Sequence, residues 1–348
     1  MNLKGLATGI GSLPYQEAEA ALDLAFKYCP DIPFWPQLPK RNMREGMIAQ
    51  FSEHLPFLRI EQEKLVFSAF DSPERELEIF YERIIAQDLD YFKISEDFAS
   101  GFYKFLQRLE IIGLKDIRYI KCQITGPFTF CASIKDEKGS GVLHDAVFTQ
   151  AVLKGLAMKA LWQIKFLRKF GKKIILFIDE PYLGCFGSGF TPLNREDVVI
   201  GLGELAKTIK SQDAYVGVHC CGNTDWSIFT EISGVDIINF DAFEFLDRLI
   251  LYADNLNGFF QRGGILCWGI VPTQTFSGKE GPRLLADKIE EGIIKLVKKG
   301  VSEDLARNNL LISPACGLGM LSPQQAEDIL RLLSETSLLL RQESISSA

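Results

Sequence analysis

The residues best suited to chemistry are one histidine and two cysteines, His219, Cys221 and Cys316, in a chain that holds three histidines and eight cysteines in all. His219 and Cys221 end the run Tyr215–Cys221. Alternation along an extended strand points residues i and i+2 to one face, so both can reach a single ion while Cys220 points away. Cys316 follows a second such run, Leu310–Ala315, and Asp241 ends a third, Asp236–Asp241. One imidazole, two thiolates and an optional carboxylate suit zinc's preference for nitrogen and sulfur, and leave a coordination position for substrate. A lone His-x-Cys pair is equally at home in a hydrophobic core. The placement of all these residues at strand ends is what favours a metal. Cys122, Cys131, Cys185 and Cys267 lack that arrangement and read as structural.

Other polar residues fall at strand ends too. Asp179 and Glu180 close the run Ile174–Pro181. They are candidate catalytic carboxylates, Asp179 also for pairing with a cationic part of the substrate, with rim ion pairs as the plainer alternative. Ser12 and Trp268 are candidate substrate-binding residues, although Ser12 could equally cap a turn, and Trp268, Phe34 and Trp35 could equally be packing. His54 and His144 read as non-catalytic. Lys40, Arg41 and Arg44 form a small basic cluster, either a solvated face or a contact for an anionic donor.

The elements that must position these groups alternate along the chain. Strands are expected at Leu6–Leu13, Pro33–Leu38, Arg118–Thr125, Ile174–Pro181, Tyr215–Cys221, Asp236–Asp241, Gly264–Val271 and Leu310–Ala315. Several are continuous apolar runs, as parallel strands buried on both faces are. Helical spacing covers Glu17–Tyr28, Pro73–Gln87, His144–Phe170, Asn194–Ser211, Phe243–Phe260, Gly281–Lys299 and Pro323–Arg341. Ser72-Pro73 and Ser322-Pro323 each put a capping serine before a first-turn proline. This pattern predicts an α/β protein, a single (β/α)₈ TIM barrel over residues 1–348 with its site at the C-terminal ends of the strands. A doubly wound open sheet is the alternative. Residues 39–113 are expected to be a helical insertion between strands 2 and 3, and 342–348 a frayed polar tail.

Composition narrows the classes. Hydrophobic residues make up 47% and charged ones 24%, enough for a large core. A net charge of −7 argues against nucleic acid as a partner. No apolar run is long enough for a bilayer span, and the N-terminal segment breaks at Gly5 and Gly9 too early for a signal peptide. A cytoplasmic protein is expected, whose reducing surroundings would keep its cysteines free of disulfides.

Taken together, His219-Cys220-Cys221-Gly222-Asn223-Thr224 and Ala315-Cys316-Gly317-Leu318 resemble the zinc site of the uroporphyrinogen decarboxylase/methionine synthase superfamily. Gly9-Ile10-Gly11-Ser12-Leu13-Pro14 resembles the opening of the catalytic barrel of cobalamin-independent methionine synthase, and Ile178-Asp179-Glu180-Pro181 its D-E-P motif. Asp236–Asp241 is similar to the strand that carries its fourth zinc ligand. The resemblance runs through almost the whole chain in order. It implies a zinc-dependent methyltransferase of the methionine-biosynthesis type, with zinc on His219, Cys221, Cys316 and Asp241. Ser12 and Asp179 would hold the amino-acid part of a thiol acceptor such as homocysteine.

Three departures accompany it. Asp241 is shorter than the glutamate of the synthases, with Glu244 a less favoured substitute. The stretch Pro36-Gln37-Leu38-Pro39-Lys40-Arg41 lacks their further acceptor-binding glutamate. Their additional N-terminal barrel has no counterpart, which leaves a methylcorrinoid protein beside a methylfolate as donor. A metal-free decarboxylase-like barrel and a non-catalytic corrinoid-binding accessory are the competing readings.

Overall fold

The computed structural model describes residues 3–68, 72–136, 139, 141–188 and 193–346, with side chains as far as 343. In order, β1 (Leu6–Ala7) and α1 (Ala18–Tyr28) precede a hairpin of β2 (Leu58–Glu61) and β3 (Lys64–Phe67). Two helices follow, α2 (Pro73–Ile85) and α3 (Ser100–Ile111). Next come β4 (Tyr119–Thr125), α4 (Pro127–Ser133), α5 (Ala146–Leu167), β5 (Lys173–Asp179), α6 (Arg195–Lys210) and β6 (Tyr215–Cys220). The chain continues through α7 (Ser227–Glu231), β7 (Ile237–Asp241), α8 (Leu246–Leu249), α9 (Ala253–Gln261) and β8 (Ile265–Val271). It ends with α10 (Pro282–Lys298), α11 (Glu303–Asn308), β9 (Leu310–Pro314) and α12 (Pro323–Ser346).

Seven strands form one sheet in the order β1-β9-β8-β7-β6-β5-β4, with every pairing parallel. The order never reverses, as it would at the switch point of a doubly wound sheet. The segment 33–37 lies between the two edge strands. Phe34 bridges Lys121 of β4, and Gln37 bridges Ser12 beyond β1, both in parallel sense. Main-chain bonds support each side: Lys121 N donates to Pro33 O at 2.9 Å and Leu13 N to Gln37 O at 2.9 Å. Pro33 and Pro36 have no N–H to donate, so these remain single bridges and no ladder forms. The result is a TIM-barrel-like α/β fold, its parallel sheet curled on itself.

Alternation sorts the strand residues into two layers. Leu176, Ile178, Val216, Val218, Ile238, Phe240, Leu266, Trp268 and Ile312 belong to the large core with the helices. Ile175, Phe177, Ile237, Ile265, Cys267 and Leu311 form a second, smaller core with Leu3, Leu6 and Ile32, which fills the interior at the end where the strands begin. Gly217 is required there, because a Cβ would stand 2.3 Å from the Phe177 ring. Two residues further along each strand the same inward parity gives Asp179, His219, Asn239 and Ser313, all buried. Apart from Lys121 of β4, level with Ile175, the interior is thus apolar where strands start and polar where they finish.

Elsewhere the structure departs from expectation. The segment 39–113 carries the β2–β3 hairpin besides its helices. The hairpin turns on Gln62 and Glu63, both at positive φ (47° and 57°), without the Asn-Gly pair that usually announces such a turn. The helix expected over Phe243–Phe260 is broken into α8, a 3₁₀ turn and α9. Ser322 accepts from Gln325 N at 3.3 Å, whereas Ser72 makes no side-chain cap. Helix α12 runs on to Ser346, so most of the stretch expected to fray is helical, and the final two residues lie outside the described ones.

Candidate metal centre

His219 is carried by β6 and Cys221 follows that strand directly. Cys316 stands two residues beyond β9. One ligand atom from each lies within 4.8 Å of the others, and among the described residues this is the group so arranged. Two backbone contacts hold the segments in place. A Cβ on Gly184, in the turn after β5, would meet Gly222 Cα at 2.9 Å, so glycines there let the chain pack against the Cys221 loop. On the other side Ser12 clamps the Cys316 loop: its carbonyl accepts from Leu318 N at 3.0 Å and its hydroxyl from Gly319 N at 3.2 Å.

The charges within the cluster are unequal. Cys316 is drawn down to about 4, chiefly by the hydrogen bond from Cys221, then by His219, against the effect of burial. Cys221 keeps its proton, raised above the ordinary thiol value because it donates to Cys316. Burial alone would lower His219, but its hydrogen bond to Cys316 and the field of Asp179 leave it raised. One thiolate already stabilised by two donors is a favourable state for a cation to displace protons from. Five other cysteines contrast with this: Cys29, Cys122, Cys131, Cys220 and Cys267 are pushed up to about 12 by burial. They are inert packing thiols. Cys185 is exposed. A nitrogen and two sulfurs, converging within 4.8 Å of one another, fit zinc.

A cavity of about 130 Å³ opens beside the two thiols, lined by Asp241, Glu244, Thr273 and Gln274 as well as Cys221 and Cys316. A larger cleft of about 870 Å³ lies where the strands begin, beside Lys4, Gly5 and Leu310. Its Arg283 and Arg307 are each held by two carboxylates, and among the described residues no cluster of metal-ligating side chains lines it. In barrels of this kind chemistry belongs to the other end.

The remaining expected site residues divide. Asp241 lines the cavity but stands outside the convergent ligand set; its Oδ1 accepts from Phe243 N and Glu244 N at 2.9 and 3.0 Å, closing its own loop. Its short side chain is held by local backbone, and burial pushes its carboxyl up to about 6. Asp179 faces the interior in register with His219. Its Oδ1 is buried without a partner, and burial, opposed by His219 and Lys121, pushes the carboxyl up to about 6.

Glu180 has the opposite parity and points away from the site. Its carboxylate accepts from Phe128 N, Thr129 N and Thr129 Oγ1 at 3.0, 2.8 and 2.6 Å, capping α4. The structure thus gives its carboxylate to the start of α4 and does not bring it to the cluster. Trp268 also lies in the outer layer, edge-on to Phe240 at 5.5 Å and close against Gly292 of α10. Ser12 is engaged in loop clamping. Of the basic cluster, Arg41 pairs with buried Glu45 at 2.9 Å and Arg44 with Asp97 at 3.8 Å.

Two interior residues went unnoticed in the sequence. Lys121 places its ammonium inside the barrel, donating to Ile10 O and to Gln123 Oε1, over the Phe177 ring at 4.6 Å. Burial lowers it to about 8, with Asp179 pulling the other way. Asn239, fully buried on β7, meets Nδ1 of His219. Both follow from parity once one inward residue per strand is known.

No protein-family model matches the sequence, and no curated protein does. Among solved structures, a fungal β-1,4-galactanase is 14% identical, with a TM-score of 0.38 over 68% of this chain and 83% of that one. A putative glycoside hydrolase from Bacteroides vulgatus is 13% identical, with a TM-score of 0.27 over 70% and 54%. A modular endo-β-1,4-mannanase from Cellulomonas fimi is 11% identical, with a TM-score of 0.26 over 61% and 62%. Likenesses so distant carry nothing about chemistry.

Proposed function

We propose that the protein is a zinc-dependent methyltransferase on a (β/α)₈ barrel of the methionine-synthase type, moving a methyl group to a thiol. The observation that carries this reading is the convergence of His219, Cys221 and Cys316 at the strand ends, beside a cavity sized for a small molecule. Zinc held by these three residues would supply a substrate thiol with the charge that keeps it a thiolate at neutral pH.

The chain's own groups do the rest. Asp179, with an unpartnered buried oxygen in the interior, suits a cationic group of the acceptor. The cavity walls orient the acceptor and limit water around its sulfur. Homocysteine or a related thiol is the proposed acceptor, and a methylcorrinoid protein or a methylfolate the proposed donor. The cytoplasm, whose reducing conditions keep thiols from forming disulfides, is where we place the chain. Among the described residues no helix is long and apolar enough to cross a membrane.

The test is methyl transfer from methylcobalamin and from methyltetrahydrofolate to a panel of thiols, with metal content followed in parallel. Thiol methylation should rise with zinc occupancy and disappear in His219→Ala. Turnover of an acidic tetrapyrrole by the metal-free chain, with no thiol methylated, would contradict the assignment.

A further inference from the structure

An imidazole has two nitrogens, and only one of them can face the thiols. In His219, Nδ1 lies against the amide of Asn239 on the neighbouring strand β7, and the ring also hydrogen-bonds to Cys316. Whether Nδ1 carries a proton depends on which way the Asn239 amide is turned, and its surroundings decide that. Asn239 Nδ2 donates to Cys267 O at 2.9 Å and to Ser313 Oγ at 2.8 Å. The Ser313 hydroxyl gives its own proton to Pro314 O at 2.9 Å, so toward Asn239 it can only accept.

Reversing the amide would set its oxygen against a carbonyl and the lone pairs of Ser313, losing both bonds in a fully buried place. The amide oxygen must therefore face His219, and Nδ1 must be the protonated nitrogen. The chain of direction runs from Pro314 O through Ser313 and Asn239 to the ring.

We propose that Asn239 is the positioning residue of the metal centre: it fixes His219 as the Nδ1–H tautomer and leaves Nε2 as the nitrogen that binds the ion. This rests on the reading of His219, Cys221 and Cys316 as a zinc site. It adds which atom of His219 coordinates, and why. Metal-bound histidines are commonly oriented by an acceptor behind the ring, often a carboxylate. A neutral amide does the same without adding a negative charge to an interior that already holds Asp179 and two thiols.

The experiment pairs two variants with two readouts. Asn239→Leu is close in size and removes the acceptor; Asn239→Asp keeps an acceptor oxygen toward Nδ1, and in that buried place its second oxygen can hold a proton and donate to Cys267 O as the amide did. Zinc affinity, measured by competition with a chromophoric chelator, should fall about 10- to 100-fold in Asn239→Leu and recover most of that in Asn239→Asp. Nitrogen-15 NMR of the imidazoles gives the tautomer, and three histidines are few enough to assign one by one. The wild-type chain should show protonated Nδ1 and metal-shifted Nε2 at His219.

A folded Asn239→Leu with undiminished affinity, or a wild-type spectrum with the ion on Nδ1, would overturn the proposal. Should Asn239→Leu fail to fold, the wild-type spectrum and the Asn239→Asp affinity still decide it. If the wild-type chain takes up no zinc, the metal reading fails by itself. The tautomer of the zinc-free chain, recorded at alkaline pH where the ring is neutral, then reports on Asn239 independently.

Discussion

Replacing Cys316 with serine should weaken zinc binding by more than about 100-fold, a larger loss than changes behind a metal ligand produce. The argument begins with the charge. Cys316 is the member of the cluster drawn down, to about 4, chiefly by the hydrogen bond from Cys221 and then by that from His219. A serine hydroxyl has no accessible anion near neutrality and is a poor partner for a borderline-soft ion. Cys221→Ser should behave alike, because the two sulfurs act on the ion together. Cys220→Ser should leave zinc affinity unchanged, since that thiol is buried on the other face and donates to Gly222 O at 3.6 Å. Chelator competition on the variants, with a melting curve to show that each is folded, gives the comparison.

The second large effect concerns stability and pH. Burial pushes the Glu180 carboxyl up to about 7 from 4.5, against the pull of its three donors. Below pH 4.5 the group is protonated in folded and unfolded chains alike. Between pH 4.5 and about 7 the unfolded chain releases the proton while the folded chain retains it, so stability falls as pH rises. A tenfold difference in proton affinity corresponds to about 1.4 kcal/mol, so the loss amounts to roughly 3 kcal/mol across that window.

Asp179 and Asp241, both raised to about 6, add losses of the same sign between about pH 4 and 6. Glu180→Gln cannot ionise, so its share of the slope should vanish. The variant should be the less stable of the two at pH 4.5, where its amide N–H₂ opposes donors of Thr129, and the gap should narrow by about 3 kcal/mol by pH 8. Urea unfolding of both proteins at the two pH values, with a chelator present throughout, measures it. A gap that stays constant would show that Glu180 is ionised in the folded chain.

How much of this was legible in the sequence depended on parity. His219 and Cys221 were found because i, i+2 alternation was applied to them, and the structure brings both to Cys316. The same rule was not carried to Glu180 or Trp268. Each sits one residue after an inward neighbour, Asp179 or Cys267, so each must face the helices. Asn239 and Lys121 have inward parity as well. Recognising them also required the strand order, which sets Asn239 beside His219 and lets Lys121 reach the carbonyl of Ile10.

The curled parallel sheet was readable because apolar runs alternate with helical spacing along the whole chain. Its weakest stretch, Pro33–Leu38, was expected as a strand and pairs only through single bridges at Phe34 and Gln37, because Pro33 and Pro36 have no N–H for a ladder. The hairpin in segment 39–113 was missed because Gln62 and Glu63 occupy conformations that glycine and asparagine usually signal. The place of Asp241 was hidden for a different reason. Its strand-end position and the resemblance offered it as a ligand, and only its hydrogen bonds from Phe243 N and Glu244 N show its loop-closing role.

The most direct test of the central claim is zinc-edge X-ray absorption on the metal-free chain titrated with zinc. The expected result is one tightly held zinc per chain, with two sulfurs at about 2.3 Å and one nitrogen at about 2.0 Å supplied by the protein. These donors should be lost when His219, Cys221 and Cys316 are replaced together. An ion ringed only by oxygen and nitrogen, or one retained unchanged by the triple variant, would contradict the account.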